Sequence, residues 1–121
     1  MGTSILVEGI FDAIALIESG FHAISLLGKV LTQEKYELIK SAKEIILSLD
    51  NNEPGIKATN SIEEFLRNNG FNSIKYIFAP EDKDWSKYYS ENNRNTIRKY
   101  IKNNINEFNL SSKISIILNY T

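Results

Sequence analysis

Four short apolar runs, each followed by a segment with helical spacing, constrain this chain more than any other feature: SILVE (4–8), HAISLLG (22–28), EIILSLD (44–50) and SIKYIFAP (73–80). Their apolar residues are nearly continuous, which is the pattern of strands covered on both faces. Between the first two runs, IFDAIALIESG (10–20) repeats Ile10, Ala13, Ile14 and Ile17 as a buried helical stripe and closes on Gly20, where a C-terminal cap belongs. LTQEKYELIKSAK (31–43) reads as a second helix with Thr32 as its N-cap. GIKATNSIEEFLRNNG (55–70) reads as a third, with Ile56, Thr59, Ile62, Phe65 and Leu66 on one face. Strands alternating with helices of this length predict an α/β fold: a mainly parallel sheet of about four strands, Rossmann-like, with helices on both faces.

Beyond Pro80 the pattern changes. Residues 85–107 are polar but carry Tyr89, Ile97, Ile101 and Ile105, followed by Phe108, which predicts one helix packed by a single face. KISIILNY (113–120) reads as a last strand. The expected organisation is a core over residues 1–89 and a helix-strand extension over 90–121 packed on the same domain. At 121 residues and 42% hydrophobic content the chain suffices for one domain with a proper core and is too short for two. A net charge of -1 supplies no general basic field, so any nucleic-acid contact must come from a local patch. With no cysteine, disulfides, thiolate nucleophiles and zinc-thiolate sites are excluded. No apolar run is long enough to cross a bilayer and the start, MGTSILVEG, lacks the pattern of a secretion signal, so the expected location is the cytoplasm, with no membrane partner.

Placed on this scaffold, Glu8 ends the first strand, Asp50 ends the third and Asp84 lies just past the fourth. In a parallel sheet all three sit at the carboxyl edge, where open α/β sheets bind ligands. Carboxylates gathered at one edge repel one another, and a hard cation such as Mg2+ among them relieves that repulsion and holds phosphate. The plain alternative is that each acid begins a loop or caps the next helix.

The stretches VEGIFDAIALIESG, SLLG, IILSLDNNEPGIKA and FAPEDKDWSKY together resemble the Toprim domain of bacterial and phage primases, topoisomerases and small nucleases. The primase-like branch, including versions in plasmids, phages and conjugative elements, is the most similar. The resemblance covers about residues 4–89 and implies a Mg2+-dependent domain, with Mn2+ as a substitute, acting on DNA or RNA phosphodiesters in replication or mobile-element maintenance. It implies that Glu8 is the general acid or base, or a metal ligand, and that Asp12 is the acid primase-type members carry one helical turn later. Asp50 matches the first aspartate of an Asp-x-Asp metal motif, Gly55 the glycine of the turn that follows, and Asp84 the acid of the final motif. Gly28 and Lys29 fall where related primases have a glycine-containing loop near the site. Other replication proteins, or the rest of a larger polypeptide, are the further partners implied.

Two departures from the family pattern stand out. The second acid of Asp-x-Asp is Asn52, which offers a neutral carbonyl oxygen and so weakens the expected hold on a cation. Ser86-Lys87 replaces an Asn-Asp or Asn-Glu pair, moving a positive charge to a place where relatives carry a negative one. The catalytic candidates are therefore Glu8 and Asp12, the metal candidates Glu8, Asp50, Asn52 and Asp84, and the phosphate candidates Lys29, Lys83 and Lys87. The departures favour a second reading, a catalytically impaired Toprim domain that binds nucleic acid or a replication protein. His22, the lone histidine, reads as a strand-edge residue and not as a ligand. Arg94, Arg98 and Lys102 form a basic row that either follows a phosphate backbone or is the wet side of a helix. Trp85 either stacks on a base or anchors the core.

Overall fold

The computed structural model describes residues 2–80 and 83–108. In chain order the elements are β1 (Thr3–Val7), α1 (Ile10–Glu18), β2 (Ala23–Ser25), α2 (Gln33–Ile39), β3 (Glu44–Leu47), α3 (Glu53–Asn68), β4 (Ile74–Tyr76), α4 (Trp85–Glu91), α5 (Arg94–Asn104) and β5 (Asn106–Glu107). The sheet runs β2-β1-β3-β4-β5. Its first four strands are parallel, with Ile5 opposite both Ala23 and Ile46, and Ile46 opposite Lys75. Among the described strands β5 alone is antiparallel, setting Lys75 opposite Glu107. The strand expected at 113–120 lies outside the described residues.

Both faces of the sheet are covered, as the continuous apolar runs require. Leu6, Ile45, Leu47, Ile74 and Tyr76 point to one side, where they pack with Tyr36 and Ile39 of α2 and Ile56, Ile62 and Leu66 of α3. Ile5, Val7, Ile46 and Ile77 point to the other, where they meet Ala13, Ala15 and Leu16 of α1, Trp85 of α4, and Ile97 and Ile101 of α5. The expected caps form: Thr32 accepts a hydrogen bond from the Lys35 amide, and Gly20 adopts φ 97°, a left-handed conformation that a side chain would oppose.

Two expectations need correction. Ile10, Ile14 and Ile17, read as the inward stripe of α1, are 43–53% exposed, whereas Asp12, Ala13, Ala15 and Leu16 face inward. The helix lies close against β1, β2 and α4, and that close approach selects alanines over bulkier side chains. The expected single helix over 85–107 is two. It breaks at Asn92 and Asn93, and Asn93 restarts it by accepting a hydrogen bond from the Thr96 amide at 2.9 Å.

Candidate active site at the carboxyl edge of the sheet

The strand order creates the site. From β1 the chain turns to β2 on one side, and from β3 it turns to β4 on the other, so the two connections leave a crevice at the carboxyl ends of the central strands. Glu8 follows β1 at that point and Asp50 follows β3. The Glu8 carboxylate reaches across the crevice: Oε2 accepts from the Asp50 amide at 2.9 Å, and Oε1 pairs with Lys29 Nζ at 2.9 Å. Glu8 is held from behind as well, because its carbonyl accepts from Ser25 Oγ at 3.0 Å and from the Gly28 amide at 3.3 Å.

Asp50 opens a tight turn in which its carbonyl accepts from the Asn52 amide at 2.9 Å. Asn52 then caps α3, its Oδ1 accepting from the Gly55 amide at 2.8 Å. A Cβ on Gly55 would stand 2.0 Å from the Asp50 carbonyl oxygen, so only glycine allows the helix to start this close to the acid.

The third element is α4. Asp84 caps it by accepting from the Lys87 amide at 2.7 Å. The adjoining Ser86 amide donates to Asp12 Oδ1 at 3.0 Å, and the buried Trp85 indole donates to Ser48 Oγ at 2.7 Å. Trp85 is thus a core anchor, edge-on to Tyr88 and Tyr100. These bonds close a cleft of about 280 Å³ lined by Asp12, Ser48, Asp50, Asn52, Lys83 and Asp84. Ser48 and the Ser86 amide were not foreseen as site-building groups, although a lone serine within the apolar run EIILSLD is a visible signal.

The electrostatics are those of crowded, partly buried carboxylates. Burial raises the Asp12 carboxyl above its ordinary range; the Ser86 hydrogen bond opposes the rise, and the charges of Asp84, Asp50 and Glu8 add to it. Burial likewise raises Asp50, reinforced by Glu8 and Asp84 and countered by Lys29. The hydrogen bond to Glu8 raises the Lys29 ammonium above its ordinary value. Of the other expected phosphate contacts, Lys83 lines the cleft and pairs with Glu91 at 2.6 Å, and Lys87 is exposed on α4. His22 is exposed beside β2, its Nδ1 2.9 Å from Ser4 Oγ. Arg98 and Lys102 line a separate groove with Thr3 and Glu44, the first residues of β1 and β3, at the opposite edge of the sheet from the acids.

Among the described residues, no three histidine or acidic side chains form a ready-made metal cage. Mg2+ keeps several of its waters and is held by one or two carboxylates together with substrate phosphates. Burial raises Asp12 and Asp50 first and the neighbouring carboxylates add to the rise, and a cation among them offsets both effects, so the donor set fits a hydrated hard cation.

Comparison with known proteins agrees with this geometry. The sequence profile of the family described as Toprim-like matches residues 5–89. A DNA primase of Mycoplasma genitalium is 34% identical over 88 residues, which is 69% of this chain and 14% of that protein. One from Thermotoga maritima is 30% identical over 105 residues, 85% of this chain and 18% of the relative. The chain therefore spans less than a fifth of these curated relatives. Among solved structures, the zinc-binding and RNA polymerase domains of the Aquifex aeolicus primase align with a TM-score of 0.70 at 28% identity, over 85% of this chain and 26% of that one. No described helix is long and apolar enough to cross a membrane. With the family profile running from β1 into α4, and so across all the acids of the crevice, the chain belongs to the Toprim-like family.

Proposed function

We propose that this chain is the Toprim module of a primase-like activity, handling nucleic-acid phosphodiesters with a divalent cation, Mg2+ or Mn2+, during DNA replication or mobile-element maintenance. The observation that carries this reading is the Glu8 carboxylate bonded to the Asp50 amide at the sheet's switch point, with Asp12 and Asp84 in the same electrostatic field. One or two of the carboxylates of Glu8, Asp50 and Asp84 would hold the cation together with substrate phosphate, with Asn52 as a neutral neighbour. When bound, the ion supplies positive charge against the phosphate and the departing oxygen. Glu8 would accept or return a proton, a role supported by a carboxylate held by the Asp50 amide and Lys29. Asp12 positions α4 through the Ser86 amide, and so positions Asp84 and the lysines beside it. Lys83 lines the cleft with the acids and Lys87 follows Asp84 on α4, and both would steady phosphates, giving DNA or RNA as the partner.

Calorimetric titration with Mn2+ and Mg2+ tests the metal reading. Binding at millimolar concentration or tighter is expected, lost in Glu8→Gln and in Asp50→Asn. Absence of binding in the unaltered protein sinks it. A primer-synthesis and nuclease assay in Mn2+ then reads the direction of the reaction. One observation favours the second reading, an impaired module that binds nucleic acid or a replication protein: Asn52 adds no charge, and its side-chain oxygen is already engaged by Gly55. Oligonucleotide binding that is insensitive to divalent ions would select it.

A further inference from the structure

The loop after β2 brings a lysine onto the acid at the centre of the site. We infer that Lys29 is an exchangeable counter-cation of Glu8, which a divalent ion must displace before it can take full hold of the carboxylate. This rests on the metal reading above and adds a competitor to it.

Glu8 has only two carboxylate oxygens to offer. One accepts from the Asp50 amide and the other pairs with Lys29, so each oxygen already has a partner and Lys29 holds the charge that a cation would otherwise neutralise. The side chain of Glu8 is 9% exposed, and a carboxylate this buried needs a positive partner. Lys83, which lines the cleft, pairs with Glu91. Lys29 is therefore the cation that meets the need, and it opposes the charge of Asp50 as well.

The geometry favours exchange over permanence. Backbone and serine contacts anchor the loop to β1: the Gly28 amide and Ser25 Oγ both donate to the Glu8 carbonyl, and the Leu27 amide donates to Ser25 Oγ at 3.1 Å. Leu27 is held at φ 54°, a left-handed conformation that a branched side chain adopts only when its surroundings impose it. The base of Lys29 is thus fixed beside the acid. Its side chain is 45% exposed and ends in a flexible ammonium, so it can swing away without unpacking the core. Once displaced, it remains within the same site as a positive charge for an incoming phosphate.

The test measures Mn2+ affinity by calorimetry in the unaltered protein, Lys29→Met and Lys29→Arg, with circular dichroism and melting to verify each fold. A half-exposed ion pair is weak, so removing the competitor is expected to tighten Mn2+ binding about two- to fivefold in Lys29→Met. Lys29→Arg, which keeps the charge, should stay near the original affinity. Equal or weaker binding in Lys29→Met overturns the inference while leaving the metal site standing, and tighter binding in Lys29→Arg overturns it by removing charge as the cause. If the unaltered protein binds no Mn2+, the proposed function falls and takes this inference with it.

Discussion

At the scale of single residues, Asn52 separates folding from chemistry. Asparagine and aspartate serve almost equally well as N-caps, so the Gly55 hydrogen bond does not explain why the carboxylate of the family motif is missing here. Asn52→Asp should therefore leave thermal stability nearly unchanged while strengthening Mg2+ binding, whereas Asn52→Ala should cost about 1 kcal/mol in denaturant unfolding through loss of the cap. Unchanged metal affinity in Asn52→Asp would remove this position from the site. Asp12 yields a pH prediction. Its folded pKa is raised above the ordinary 3.8, chiefly by burial, so the folded state holds the proton more tightly than the unfolded chain does. The resulting stabilisation is complete below pH 3.8 and fades as pH rises through the higher folded value. Metal-free Asp12→Asn keeps an oxygen for Ser86 and should lose less stability than the unaltered protein over that window. Melting curves between pH 3.5 and 7.5 check this, and parallel curves for the two proteins would contradict it. These acids were legible in the sequence because strand-end positions can be read from apolar runs. Their partners were harder to see, because the Ser86 amide and the Ser48 hydroxyl act through contacts 74 and 37 residues distant in the chain.

At the scale of elements, the sequence showed which segments are helices and strands more clearly than which way they face. In α3 periodicity and burial coincide: Ile56, Ile62 and Leu66 lie in the core and Phe65 packs against it, partly buried. In α1 the two sets differ. Periodicity weighs isoleucine above alanine, yet the tight approach to β1 and α4 buries Ala13, Ala15 and Leu16 and leaves Ile10, Phe11, Ile14 and Ile17 outside. Leu16→Ala should consequently cost roughly 2–5 kcal/mol in denaturant unfolding, and Ile17→Gln should stay within about 0.5 kcal/mol. The opposite order would mean that the helix is rotated. The break between α4 and α5 was missed for a related reason: apolar spacing carries across it, and only the Asn93 cap marks the restart.

At the scale of the whole molecule, the parallel sheet and its acidic edge were legible because alternating strands and helices leave few alternatives, and a crossover from β2 to β3 fixes where the crevice opens. Charge was not legible in the same way. A sequence total of -1 hides a division between an acidic carboxyl edge and a basic groove at the amino edge, where Arg98 and Lys102 stand beside Glu44. Glu8 and Thr3 are separated by the length of β1, roughly 16 Å at the rise of an extended strand, so a phosphate held at the acids does not touch that groove. Among the described residues, the candidate cations for a single-stranded oligonucleotide at the site are Lys29, Lys83 and Lys87, at most three phosphate contacts. For single strands each contact contributes a slope of about -0.7 in a plot of log affinity against log salt, so the limit is a slope of about -2. Binding should also depend on Mg2+ or Mn2+, because without it the carboxylates repel the same phosphates that the lysines attract. Fluorescence anisotropy of a labelled oligonucleotide over a salt series measures both quantities. Arg98→Gln with Lys102→Gln should leave the slope where it was; a slope of -4 that falls in this variant would place the strand across both edges and remove the reason for centring phosphate recognition on the acids.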